Sequence, residues 1–308
     1  MRRIIVILIF GLLLASLLYW GYQGQKKETS TASRKISTTI FPLYDIAKHI
    51  AGEQIEVVLL LPPGASPHSY EPSPEGIKKL QGSSALFYIG HGIDTWSTDM
   101  ARSAGIEHQV IVDKNVTLLK MTDEHHHDEE VQGHEEPIDG MDPHYWLNFA
   151  NAQGIALQIR DELSAQYPEY KTSFHQNYES YQSELQKADR ELTDKVQQLP
   201  NKNIATFHNA YGYLADNFGL TIVTTFEEFP GEEPTAEYLQ EFTTEIQAHK
   251  LTAIFAEPQF ATRSLQPIAE DLGITISQLD PIGGVDGRDS FISLMNYNVN
   301  QVISAVSK

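Results

Sequence analysis

No cysteine occurs anywhere in the 308 residues. Disulfides, thiolate metal ligands and cysteine nucleophiles are all excluded, which leaves imidazole and carboxylate as the side chains able to hold a metal. Positive charge is also scarce: 22 lysines and arginines face 41 aspartates and glutamates, a formal net charge of -19. A field of that sign repels nucleic acid and gathers cations, so a metal ion is an expected partner and nucleic acid is not. The H-E-x-x-H signature of zinc peptidases is missing, and HHHDEE departs from H-x-H-x-D-H at Glu129 and Glu130.

Only one long apolar run exists, Ile4 to Trp20, preceded by Arg2 and Arg3. It reads as an export signal, which places the rest of the chain outside the cytoplasm, in a periplasm or on the outer face of the membrane. Its 17 residues fall between a signal core and a membrane span of roughly 20 residues. No A-x-A cleavage spacing follows it, so residues 1–35 are a signal peptide or a retained membrane anchor, ending in the polar linker Glu28 to Lys35.

Beyond the linker, short β-branched runs alternate with helical patterns. Ile36 to Ile40, Glu56 to Leu61, Ala85 to Ile89 and Val110 to Asp113 predict four strands, and Asn203 to Phe207, Leu220 to Phe226, Ala253 to Ala256 and Ile274 to Ser277 predict four more. This rhythm implies an α/β protein of two Rossmann-like lobes, each with a mostly parallel four-stranded sheet. Between them Tyr170, Phe174, Tyr178, Tyr181, Leu185, Ala188, Leu192, Val196 and Leu199 are spaced by threes and fours, between Pro168 and Pro200. One long rigid helix of about 30 residues, some 45 Å, joins the lobes. The expected organisation is an N-terminal lobe over 36–166, a connecting helix over 167–200 and a C-terminal lobe over 201–308.

In open α/β sheets ligands gather beyond the carboxyl ends of strands, which gives a test for each histidine. His68 follows the second strand in a loop stiffened by Pro62, Pro63 and Pro67, and His208 directly follows the fifth. His144 ends the long loop after the fourth strand, and Asp280 follows the eighth. Three imidazoles and a carboxylate form a four-coordinate set that suits Zn2+ at roughly 2.0 to 2.2 Å. Asp280 precedes Pro281, however, and such an aspartate serves equally often to start a turn. His49, His91, His108, His175 and His249 read as structural or solvated.

The segments PPGASPHSYEPSP, DPHYWLN, TFHNAYGYLA, EPQFATRS and LDPIGG, in this order, resemble the zinc and manganese solute-binding proteins of ABC importers, most closely the zinc-uptake (ZnuA-like) branch. The resemblance covers the chain from about Ile36 to its end. It implies an interlobe metal held by His68, His144, His208 and Asp280, delivery of Zn2+ to a membrane permease, and a monomeric carrier without enzymatic activity. In members that prefer manganese a carboxylate stands where this chain has His208; some zinc-specific members complete the site with water or a glutamate. A manganese-binding importer component and a zinc-dependent surface adhesin are the alternatives. Many relatives are lipoproteins anchored through a cysteine, which this chain lacks.

The segment Asp123 to Glu136 has four histidines, His125, His126, His127 and His134, and one apolar side chain, Val131. Without apolar residues to dock it, the 122–140 region is expected to be a surface loop, its histidines auxiliary metal collectors and not the principal site.

Overall fold

The eight runs become eight strands, and the most central, such as Ala253–Ala256, buried at all four residues, show the near-continuous apolar sequence that parallel strands covered on both faces need. The computed structural model describes residues 34–121, 140–227, 234–260 and 262–307. The N-terminal signal or anchor and the four loop histidines lie outside the described residues. In the first sheet β1 (Lys35–Thr38), β2 (Glu56–Leu59), β3 (Leu86–Tyr88) and β4 (Gln109–Ile111) lie in the order β2-β1-β3-β4. In the second, β5 (Asn203–Thr206), β6 (Thr221–Thr225), β7 (Ala253–Ala256) and β8 (Thr275–Gln278) lie in the order β6-β5-β7-β8. Every pairing is parallel.

Local sequence sets the helix ends. In the first half, α1 (Phe41–Ala51) starts with Pro42 and stops at Gly52, whose φ of 58° suits glycine. The Ser73 hydroxyl accepts from Gly76 N to cap α2 (Pro74–Leu80), and α3 (Trp96–Ser103) follows. The side-chain oxygen of Asn148 accepts from the Ala150 and Asn151 amides to open α4 (Phe149–Gln166). The predicted spine is α5 (Lys171–Gln197), 27 residues or about 40 Å, entered through a 3-10 turn at Pro168–Tyr170. Its seven predicted inward residues from Phe174 to Val196 are buried. In the second half come α6 (Gly212–Phe218), α7 (Ala236–Ala248), α8 (Leu265–Leu272) and α9 (Phe291–Val306).

A single apolar cluster runs from Ile36 and Phe87 of the first sheet, through Phe174, Leu185 and Val196 of the spine, to Ile204 and Phe255 of the second. Smaller clusters cover the outer faces: Leu60, Leu80 and Met100 on one sheet, Phe226, Phe242 and Leu265 on the other. Lys35 to Lys308 accordingly form one compact unit.

Polar bonds clamp the two lobes across that core. Asp45 of α1 accepts from Phe291 N at the start of α9 (2.9 Å), where the helix dipole favours a carboxylate. Phe41 packs so closely on Gly284 that a Cβ there would lie 2.9 Å from the ring. Trp146, fully buried, donates from Nε1 to the Pro281 carbonyl at 2.8 Å. Replacing Trp146 by phenylalanine keeps most of the packing but leaves that carbonyl unpaired, which should cost about 1–3 kcal/mol in urea unfolding. A loss under about 0.5 kcal/mol would mean the bond does not help clamp the lobes.

Candidate metal centre

The loop bearing His68 is shaped by its own sequence. Pro62-Pro63-Gly64-Ala65 forms a tight turn, with Gly64 at φ 78° and Ala65 N bonded to Pro62 O at 3.1 Å. A 3-10 turn at Pro67–Ser69 then presents the imidazole, and Trp96 Nε1 fixes that turn by donating to Pro67 O (3.1 Å). His144 is set by Asp142, whose Oδ1 accepts from His144 N (2.9 Å) and lies 2.8 Å from its Nδ1. His208 leaves the end of β5, and its Nδ1 is in close contact with Glu257, which leaves the end of the neighbouring strand β7. Strand order reverses direction between β5 and β7, the position where parallel sheets open a crevice.

The three rings form a near-regular triangle, with centroids 5.3 Å (His68–His144), 5.5 Å (His68–His208) and 5.4 Å (His144–His208) apart. One nitrogen from each lies within 4.8 Å of the others, and the Nε2 atoms of His68 and His144 are 3.2 Å apart. Three nitrogens bound tetrahedrally to one zinc would be about 3.4 Å apart. The Asp142 carboxylate at His144 Nδ1 favours the proton there and leaves Nε2 with its lone pair toward the cleft. His208 Nε2 is buried and has no hydrogen-bond partner among the described residues, a cost that a bound cation would remove.

Electrostatics point the same way. Burial lowers His208 to about 4, against a smaller upward pull from Asp142. Burial, then the neighbouring His144 and His208, push His68 well below its ordinary value, so both rings are neutral and ready to ligate near pH 7. Burial also pushes Glu257 well above the usual carboxylate range, with His144 pulling it down and Asp280 raising it further. A divalent ion at the triangle would supply the positive charge these carboxylates lack. The cavity, lined by His68, His144, His208, Pro67 and Phe260, holds ≈ 10 Å³, room for about one water-sized body. The roomier hollow, ≈ 620 Å³ beside β6 and α7, has no histidine in its lining.

Asp280 does not join this group. Its Oδ1 accepts from Ile282 N (3.0 Å), Gly283 N (3.1 Å) and Gln259 Nε2 (2.9 Å), and its Oδ2 lies 3.0 Å from the Arg288 guanidinium. The turn-starting use of an aspartate before proline is the one realised here. The convergent set among the described residues is three histidines, and Asp280 serves the turn in this arrangement. Sequence reasoning passed over Asp142, Glu257 and Arg288. The strand-end rule that found His208 would also have found Glu257, and Asp142-Pro143-His144 carries a turn signal. The remaining described histidines stand apart from the triangle: His49 stacks on Tyr181, His91 lies 3.3 Å from Asp113, and His108 and His249 pair with Glu162 and Glu245.

The chain on either side of residues 122–139 is tied together just before Asp142. Met121 N bonds to Gly140 O (3.0 Å) and Asp142 N to Leu119 O (2.9 Å), while Tyr213 OH donates to Asp142 O (2.8 Å). The His144 geometry is thus braced by β-type pairing and by the second lobe.

Residues 36–305 match the family model described as ZnuA: Zinc-uptake complex component A periplasmic. The chain is 27% identical to the zinc-binding protein AdcA of Streptococcus pyogenes serotype M3 over 92% of its own length and 57% of the relative, so it spans little more than half of that protein. It is 29% identical to the high-affinity zinc uptake system protein ZnuA of Yersinia pestis, with 89% of this chain and 92% of the relative covered. A crystal structure of ZnuA superposes with a TM-score of 0.77 at 26% identity, covering 89% of this chain and 99% of that one. With a match that runs through both sheets and all three convergent histidines, the chain belongs to the ZnuA family.

Proposed function

We propose that this protein captures Zn2+ outside the cytoplasm with His68, His144 and His208 and delivers it to the permease of an ABC importer. The observation that carries this reading is the triangle of imidazoles around a cavity of ≈ 10 Å³, two of them braced by buried carboxylates. Imidazole suits zinc, whereas manganese prefers carboxylate and water oxygens. Organic solutes need roughly 300–1,000 Å³, so the cavity fits an ion and excludes them. The family and the relatives' names, a zinc-uptake component described as periplasmic and a zinc-binding protein, support the same cargo and location.

With Asp280 tied elsewhere, the fourth position on zinc falls to a water molecule, so a closed tetrahedron of protein ligands no longer argues against hydrolysis. Space does: a zinc-bound water has no adjoining room for an ester, peptide or phosphate. The protein is read as a carrier that binds and releases its cargo without covalent chemistry.

Metal analysis of protein purified without added metal, with growth of a deletion strain in zinc-poor medium, tests the proposal. One zinc per chain and restored growth are expected; a metal-free chain that binds no zinc, or metal-dependent turnover of esters, would refute it. Glu257→Gln keeps the shape beside His208 but removes the charge, and should weaken zinc binding about 10- to 100-fold in chelator competition. Unchanged affinity would show that Glu257 does not support the site.

A further inference from the structure

We propose that Arg288 determines which ions the site accepts, by holding Asp280 in an ion pair and so keeping a carboxylate out of the metal's coordination shell. The inference rests on the three-histidine site proposed above. Asp280 leaves the end of β8 and is gripped on its backbone by Asn298, whose Oδ1 accepts from Asp280 N (2.8 Å) and whose Nδ2 donates to Asp280 O (2.8 Å). After the Asx turn, Gly283 and Gly284 at φ 71° and 78° fold the chain back. Arg288 N bonds to Val285 O (2.9 Å) and Gly284 N to Arg288 O (2.8 Å), a short hairpin that returns Arg288 over the carboxylate.

There the guanidinium is sandwiched. One side meets Asp280 Oδ2 at 3.0 Å, and its Cζ lies 4.5 Å from the Tyr297 ring centroid. The Arg288 side chain is 17% exposed and that of Asp280 2%. Rotating Asp280 toward the histidines would break this pair and leave a cation buried without its counterion, which is strongly unfavourable. The hairpin cannot swing away to avoid this, because Gly284 lies against Phe41 of the other lobe. Asp280 Oδ1 is thus committed to three N–H donors, and Oδ2 faces the Arg288 guanidinium, all within the C-terminal lobe.

The chemical consequence concerns selectivity. A free carboxylate beside three imidazoles would add the hard, anionic oxygen that Mn2+ favours; three neutral nitrogens and water favour Zn2+. Arg288 acts through Asp280 and is a positioning residue, so its removal should be read out at the metal. In purified protein loaded with Co2+, whose visible absorption reports ligand type and number, Asp280→Asn should leave the spectrum unchanged and zinc affinity within about twofold. Asparagine keeps the Oδ1 acceptor that the turn needs.

Arg288→Met, which retains bulk without charge, should free Asp280, shift the Co2+ spectrum and raise Mn2+ affinity about tenfold or more. The gain should vanish in the Arg288→Met, Asp280→Asn double variant, and Arg288→Lys, which keeps the charge, should behave like the parent. A changed Co2+ spectrum in Asp280→Asn alone would make Asp280 a ligand and overturn the proposal. So would a folded Arg288→Met protein with unaltered Mn2+ affinity. Failure of the underlying site reads differently: His144→Ala would then keep tight zinc binding whatever residue stands at 288.

Discussion

Substituting His68, His144 or His208 by alanine should each remove tight zinc binding. Zinc held by four ligands in small folding units is worth about 10–16 kcal/mol, so one ligand contributes about 2.5–4 kcal/mol, or a hundred- to a thousandfold in Kd. The three positions should differ in what else they cost. His68 is exposed at its outer edge and makes its polar contact with His144 alone, so His68→Ala should lower affinity and leave the metal-free melting temperature unchanged. His144→Ala leaves the buried Asp142 carboxylate with the backbone N–H of residue 144 but without the imidazole, and His208→Ala removes the ring packed against Glu257, which is 1% exposed. Both should also destabilise the fold by about 1–3 kcal/mol, because each removes a buried ring and leaves a cavity. Chelator competition with calorimetry on the same samples separates the two effects. Affinity within about tenfold of the parent in any one variant would remove that histidine from the ligand set.

The strands were legible because most are short apolar or β-branched runs, and the central β7, buried at all four residues, coincides with its predicted span. Strand ends moved by one or two residues elsewhere, as at β4, where pairing with β3 begins at Gln109, a polar residue that apolar pattern cannot mark. The spine was legible because its buried stripe is apolar and regular. Helix α4 was not, since its buried face includes Asn151, which bonds to Thr117 and Tyr145, and Gln158, which bonds to Ile111 and Lys114. Polar side chains that satisfy loop backbone blur the stripe a helix is recognised by.

At the site, the same limit applied to partners rather than positions. Histidines after strands can be counted along the chain, and three of them do meet. Which carboxylate faces the cleft depends on side-chain direction: Asp280 turns back to Arg288, while Glu257 and Asp142, unassigned from sequence, support the rings. Asp280 is balanced by Arg288, and the carboxylates at Nδ1 await the divalent cargo. The polar clamps at Asp45 and Trp146 hold the lobes at the spacing the triangle requires, so the ion completes a gap already set by the protein.

Zinc affinity should fall less on acidification than ordinary histidines would dictate. A ligand histidine titrating near its usual 6.5 loses about tenfold in affinity one pH unit below that value, and two such histidines lose about a hundredfold. Burial holds His208 at about 4, and His68 well below its ordinary value, with the other two rings adding to the effect. Protons therefore do not compete at His208 between pH 6.5 and about 5, and compete less at His68 than at an ordinary histidine. Zinc Kd measured at pH 7.5 and 5.5 should change by clearly less than about a hundredfold. The metal-free fold shows the same depressed value as a stability term. In the unfolded chain His208 takes up a proton near 6.5 and in the folded chain near 4, so its contribution is complete above the first value and is lost as the pH falls toward the second. For a buried group that span is worth about 3 kcal/mol at most. Glu257, raised by burial, works in the opposite sense and gains stability as the pH falls through its folded value. Repeating both titrations in Glu257→Gln isolates the histidine contribution. A hundredfold or steeper loss of zinc affinity in that variant would mean that His208 is solvated and that the triangle is not the binding site.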